Sequence, residues 1–448
     1  TQVALGFALA QIDDKAGAEA CFQRASAIDR DSPYVQAEGV QETLAGALLD
    51  RNDLDSALAT FRKAAQLAPQ SAYPYNGIGK TLSLKGDRQG AIAAYREAVQ
   101  RDPKLLATHL ALGRILADDG QWKEAVDSFR KATELDPKNA EAHYLLGFAL
   151  HRSGDLDGAL AAYQKALELA PHVAAYLHDF GLALKDKGDL RGASDAFRKA
   201  CQYDPNNPAF YHDLGATLKE LKDLDGALPA FQRAAELDPK NGNAQVLVGD
   251  AFQDKGQSDL ALAAYRKAVE IDPQCAAGHC ALCGILRTQR DLAGSIASGR
   301  KAVELDPRSA AAHLQLGLAL HDNKDLDGAA RSLRTALELD PSNAAAHAHL
   351  GFVLRDQQDT KTALVEFRKA VELNSADAET QRLLAEAAAA ARELDPDYRA
   401  AFDAWRREAA KLPPEKQVEA VARKLKELNP GFDGKVTPQI DNGVVTSL

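Results

Sequence analysis

One pattern returns along almost the whole chain at a period of 34 residues: an apolar residue followed by glycine, then an alanine, an aromatic residue four positions later, and a proline. Between Leu106 and Asn139 it reads Leu112-Gly113, Leu116, Ala125, Phe129, Ala132 and Pro137. The next stretch gives Leu146-Gly147, Leu150, Ala159, Tyr163, Ala166 and Pro171. The same marks run from Ile78-Gly79 to Pro103, Phe180-Gly181 to Pro205, Leu214-Gly215 to Pro239, Val248-Gly249 to Pro273 and Leu316-Gly317 to Pro341, and resume at Leu350-Gly351. A unit of this length cannot bury its own apolar face, so repeats held in register must stack on one another.

The spacing within a unit says what stacks. His109, Leu112, Gly113 and Leu116 fall at i, i+3, i+4 and i+7, one stripe of a helix. Gly113 and Ala125 are small enough for two helices to approach closely, with Phe129 filling the space beside them. Gly120 suits the left-handed residue that ends a first helix, as do Gly86, Gly154, Gly188 and Gly256. Asp136-Pro137, Asp238-Pro239 and Asp340-Pro341 end the second helix by pushing the residue before proline out of helical conformation. Asn139, Asn207, Asn241, Ser309 and Asn343 stand where an N-cap is needed, and Pro208 follows as a first-turn proline.

These motifs resemble the tetratricopeptide-repeat (TPR) family. The resemblance implies an all-α fold: an α-solenoid, a right-handed superhelix of stacked antiparallel helix pairs in 34-residue TPR units. In register, the chain reads as a truncated N-terminal unit (1–32), a short insertion (33–37), ten regular units (38–377), a degenerate unit acting as a cap (378–411), a capping helix (412–429) and a tail (430–448). Asp441-Asn442-Gly443 between Lys435-Val436-Thr437 and Val444-Val445-Thr446 is a hairpin signal, so the tail is expected to be irregular or β-like and to open a further domain. Its stretch from Asn429 resembles the junction before leucine-rich-repeat regions in bacterial multidomain proteins. The chain holds no methionine, even at position 1, which points to a fragment or a processed chain.

Composition narrows the function classes. The formal net charge is −10, with both signs interspersed, which argues against non-specific nucleic-acid binding. No apolar run is long enough for a bilayer span and no export signal opens the chain, so no membrane partner and a cytoplasmic location are expected. Five cysteines (Cys21, Cys201, Cys275, Cys280, Cys283) without framework spacing fit a reducing compartment.

Candidate chemistry dissolves into repeat positions. Gly79-Lys80-Thr81 imitates the end of a phosphate-binding loop, but Pro74 stands where that loop needs glycine. Asp179-Phe180-Gly181 imitates a kinase triplet without the other kinase motifs. Cys275, His279, Cys280 and Cys283 contain the right atoms for zinc in a spacing that matches no known site, while Cys283 also falls on the repeat's glycine position. No catalytic residue, cofactor or metal site is expected, and the chain is not read as an enzyme.

Two irregularities stand out. The unit from Ala276 to Ser309 has Ser295 for alanine and Gly299 for the aromatic, a loss of about 3 kcal/mol if nothing fills the space, and is expected to be soft. Pro229 should bend its second helix. His109, His143, His279, His313 and His347 share the fourth position of the first helix, where a ring is expected to pack.

In the resembled family, positions five, nine and twelve of the first helix line the binding groove. Position twelve reads His151, Lys185, Lys219, Gln253, Arg287, His321 and Arg355, a basic ladder. It is either solvated charge balanced by neighbouring acids such as Asp186, Glu220, Asp322 and Asp356, or a groove for an acidic peptide segment. Tyr144, Phe148, His178, His212 and Phe352 would add aromatic contact. The expected function is a scaffold binding extended or helical segments of partner proteins; the alternative is the substrate-recruiting part of a larger Ser/Thr kinase or glycosyltransferase. Position six (Asp179, Asp213, Ala281, Gln315, His349) lacks the asparagine ladder of O-linked N-acetylglucosamine transferases.

Overall fold

The computed structural model describes residues 38–373 continuously, positions 17, 20, 21, 24, 407, 411, 416 and 423 singly, and the stretches 439–441 and 444–447. The expected truncated unit, insertion, degenerate unit and capping helix therefore lie almost entirely outside the described residues. The chain separates into two compact bodies, 1–237 and 238–448.

Twenty helices among the described residues form ten consecutive pairs. In the first body these are α1 (Glu38–Asp50) with α2 (Leu54–Leu67), α3 (Tyr73–Leu84) with α4 (Arg88–Arg101), α5 (Leu106–Asp118) with α6 (Trp122–Leu135), α7 (Ala140–Ser153) with α8 (Leu156–Leu169), α9 (Ala174–Asp186) with α10 (Leu190–Tyr203), and α11 (Pro208–Glu220) with α12 (Leu224–Leu237). The second holds α13 (Gly242–Asp254) with α14 (Ser258–Ile271), α15 (Ala276–Thr288) with α16 (Leu292–Leu305), α17 (Ala310–Asp322) with α18 (Leu326–Leu339), and α19 (Ala344–Asp356) with α20 (Thr360–Glu372). In the tail, β1 (Gln439–Asp441) pairs antiparallel with β2 (Val444–Ser447), a ladder too short to be stable alone.

Most helix starts have a local cause. Asn139, Asn207, Asn241, Ser309 and Asn343 accept a backbone N–H of the following first helix. Eight of the ten second helices are capped by an aspartate, at Asp53, Asp87, Asp155, Asp189, Asp223, Asp291, Asp325 and Asp359. Such a cap is worth about 1 kcal/mol. The turn inside each pair needs one left-handed residue. Glycine supplies it five times, with Gly154 at φ 91°, and Asn52, Lys222, Arg290, Lys324 and Gln358 supply it in the other five pairs. Pro229 lies on the exposed side of α12, which continues as helix to Leu237.

Within each body the core repeats one contact. Six of the largest fully buried side chains, Phe129, Tyr163, Phe197, Phe231, Tyr265 and Phe367, share one repeat position. Each stands against the glycine of its own first helix; a Cβ on Gly113 would lie 2.5 Å from the Phe129 ring. Burying such a ring contributes about 1.5–3 kcal/mol. Between repeats, the fourth-position histidines do more than pack. The Nε2–H of His109, His143, His279, His313 and His347 donates to the carbonyl oxygen of the proline six residues earlier, at 3.0–3.3 Å. A carbonyl can only accept, so the contact places a proton on Nε2 and ties each turn to the helix it feeds.

The soft unit is closed differently from expectation. Cys283, at the glycine position, and Leu316 occupy the region left by the missing aromatic: a Cβ on Gly299 would meet Cys283 Sγ at 2.8 Å and Leu316 at 3.2 Å. Ser295 Oγ donates to the Cys283 carbonyl at 2.7 Å, with both residues fully buried. The small and large partners have changed helices. No helix among the described residues is long and apolar enough to cross a membrane.

Candidate interaction face

The residues expected to line a groove all lie on first helices, but in two separate bodies. Tyr144, Phe148 and His151 stand on α7, His178 and Lys185 on α9, and His212 and Lys219 on α11 in the first body; Arg287 on α15, His321 on α17, and Phe352 and Arg355 on α19 in the second. Stacking in register places position n of one first helix beside position n+1 of the next, a separation of 35 residues.

That stagger builds a hydrogen-bonded row across α7, α9 and α11. The Tyr144 hydroxyl donates to Asp179 Oδ2 at 2.7 Å. His178 donates through Nδ1 to Asp179 Oδ1 at 3.2 Å and through Nε2 to Asp213 Oδ2 at 2.7 Å. His212 Nδ1 closes the row on Asp213 Oδ1 at 2.9 Å. Rings pack around it: Tyr144 stacks on Tyr176 with centroids 4.3 Å apart, and His178 lies 4.8 Å from Phe210. Phe148 meets Trp122 edge-on at 6.0 Å.

The row is electrostatically self-consistent. Burial opposes protonation of His178, but hydrogen bonds to Asp179 and Asp213 and their charges outweigh it and push the imidazole up to about 9. His212 is raised by its hydrogen bond to Asp213. Burial would raise Asp213, yet the two histidines hold it far below the ordinary carboxylate range. His178 is therefore an imidazolium with donors on both nitrogens at neutral pH. Asp179 and Asp213, noted in the sequence only as departures from an asparagine ladder, are members of the row.

The basic ladder is not a file of free cations. His151 meets Asp186 at 2.7 Å, Lys185 meets Glu220 at 2.6 Å, Arg287 meets Asp322 at 3.3 Å and His321 meets Asp356 at 3.0 Å, every base on the acid at position thirteen of the next repeat. Arg355 bonds Asp356 at 3.4 Å and lies over the Phe352 ring at 5.0 Å. Lys219 is engaged too, and Gln253 accepts from Tyr265. Most of the acids suspected of balancing charge on their own helix act across the repeat boundary, and Asp356 does both, so the ladder's side chains already have partners. In the second body, burial and the charges of Arg287 and His321 drive His349 down to about 4, so that ring is neutral.

The motif look-alikes serve packing. Gly79 lies inside α3 with the Tyr95 ring 2.7 Å from where a Cβ would be, and Gly181 lies inside α9 in the same relation to Phe197. The cysteines go to different tasks. Cys275 Sγ caps α15 by accepting from the Gly278 N–H at 3.3 Å, Cys283 fills the core, and Cys280 faces a concavity with its thiol pushed up to about 11 by burial. Among the described residues no group of three or more His, Cys, Asp or Glu converges on a metal position.

Family models for the tetratricopeptide repeat match most of the described chain: one, "TPR repeat", at 113–154, 181–222 and 319–357, and two, "Tetratricopeptide repeat", at 140–173 and 208–241 and at 42–105 and 246–310. No curated protein sequence matches significantly. Among solved structures, MamA is 31% identical over 36% of this chain and 95% of its own, with a TM-score of 0.36. YrrB, described as a TPR protein with an unusual peptide-binding site, is 26% identical over 40% and 92%, with a TM-score of 0.37. Yeast Tom70 is 16% identical over 90% and 98%, with a TM-score of 0.46.

Proposed function

Because this chain belongs to the tetratricopeptide-repeat family, we propose that it is a protein-interaction scaffold and that α7, α9 and α11 present its main face to an extended or helical segment of a partner protein. The observation that carries this reading is the row Tyr144–Asp179–His178–Asp213–His212, whose side chains are held in place before any partner arrives. Ordering an exposed side chain on binding costs about 0.5–1.5 kcal/mol, and a face already ordered avoids that cost. Half of the His212 side chain remains exposed, and Tyr144 and Phe148 are partly exposed beside it, so the row offers aromatic surface and polar groups together. Tyrosine and other aromatic side chains are the usual energetic centres of such contacts.

The test uses peptides selected from a random library displayed to the whole chain. Those that bind are expected to lose at least about tenfold in affinity, or about 1.4 kcal/mol, when Tyr144 and Phe148 are both replaced by alanine. Failure to select any peptide, or selected peptides indifferent to that double substitution, would place the face elsewhere or remove it.

A further inference from the structure

We propose that the concavity over α15 binds an arginine side chain carried by an extended segment of a partner protein; this rests on the scaffold reading and names the chemistry of one of its contacts. The concavity, about 420 Å³, lies entirely within the second body and is lined from α13, α15 and α17, with Tyr265 of α14 and with Asp306 and Ser309 from the turn between α16 and α17. It exists because the exposed strip of α15 is built from small residues. Cys280 and Gly284 stand at the fifth and ninth positions, where α7 carries Tyr144 and Phe148. Helix α15 can do this without losing its own partner, since Cys283, Gly299 and Ser295 keep its buried side closed against α16.

The lining selects its occupant. Val246, Ile285 and the alanines of α15 give an apolar floor, while Asp250, Gln253, Asp306 and Gln315 contribute acceptor oxygens, and no lysine, arginine or histidine takes part. The Gln315 amide lies over Gly284, its Oε1 3.2 Å from where a Cβ on that glycine would be, and this oxygen is buried with no hydrogen-bond partner. That oxygen is already out of reach of water without a donor, and an aliphatic or aromatic occupant would leave it so. A carboxylate would bring more acceptors towards Asp250 and Asp306 and be repelled. An arginine lays its methylene stem along the apolar floor and offers five N–H donors in a planar fork, enough for the Gln315 oxygen and a carboxylate at once. Lysine has the charge but not the fork.

Peptides selected from a random library displayed to the whole chain should include a class that shares an arginine. Replacing that arginine by citrulline or leucine in a synthetic copy should weaken binding at least about tenfold. Two variants should weaken it equally while circular dichroism shows the fold intact: Gly284→Leu, which fills the concavity, and Gln315→Leu, which removes the unpaired acceptor. Gln315→Leu carries a second signature, since losing a buried unpaired oxygen should leave the free protein's melting temperature unchanged or raised. Selected peptides without a shared arginine, or arginine peptides indifferent to both variants, overturn this assignment and leave the scaffold reading standing. A library that yields no binder overturns both.

Discussion

His178 is the residue on which the first body's polar row depends, and its proton makes a prediction. Its imidazole is raised from an ordinary value of about 6.5 to about 9 in the folded chain, because the hydrogen bonds and charges of Asp179 and Asp213 exceed the penalty of burial. A raised folded value stabilises fully below the unfolded value and is lost as pH climbs through the folded one. The first body should thus lose on the order of 1–3 kcal/mol between pH 6.5 and 9 through this group. Asp213 works in the opposite direction, its lowered value adding stability that disappears only in strong acid. Urea unfolding across that range should show the alkaline loss in the wild type and a much flatter profile in His178→Gln; parallel profiles would mean that the proton is not held. The histidine and both aspartates were visible in the sequence as separate repeat positions. Their union was not, because it depends on which position of one helix lies beside which position of the next, a stagger that periodicity within a chain does not encode.

At the scale of the element, the helix pair was legible almost completely, since its signals are local: a glycine opposite an aromatic, a cap, a turn, a proline. The aspartate caps of the second helices carried an equally local signal, an aspartate three residues before a glycine as in Asp155 and Gly158, which sequence reasoning passed over. Where that cap is missing, the element can be improved. Gln257 precedes α14 with no side-chain cap, at φ −95° and ψ 64°, close to the −80° and 75° of the capping Asp291. Gln257→Asp should raise stability by about 1 kcal/mol in thermal or urea unfolding. The pair α15 and α16 makes the harder case, because its exchange of small and large residues looked like a defect when each position was compared with the repeat alone. Cys283→Gly by itself should open a void and cost about 2–3 kcal/mol. Gly299→Phe by itself should collide with Cys283 Sγ and Leu316 and cost about 1–3 kcal/mol. The double variant restores the usual glycine and aromatic and should recover much of both losses, an interaction energy of roughly 1–3 kcal/mol in a double-mutant cycle. Simple additivity would show that Cys283 does not stand in for the missing ring.

Across the whole molecule, the division into bodies 1–237 and 238–448 follows no break in the 34-residue pattern. The repeats on either side of that junction carry the same glycine and aromatic, so periodicity alone gives no reason to divide the chain there. Stability in such a chain is close to a sum of repeat terms and nearest-neighbour terms, and damage should therefore stay local. Phe367 is fully buried in α20, with its ring against Gly351 and 5.0 Å from Phe352. Phe367→Ala should cost about 3–5 kcal/mol at that site. In native-state hydrogen exchange the amides of α17 to α20 should lose protection in order of their distance from the substitution, while those of α3 to α8 keep their wild-type rates. If the chain instead unfolds as one cooperative unit, protection must fall by the same amount in both bodies, and the chain would have to transmit strain over many repeats. The interaction face on α7, α9 and α11 would then respond to events at α20, whereas nearest-neighbour stability leaves each body free to hold its own contact while the other loosens.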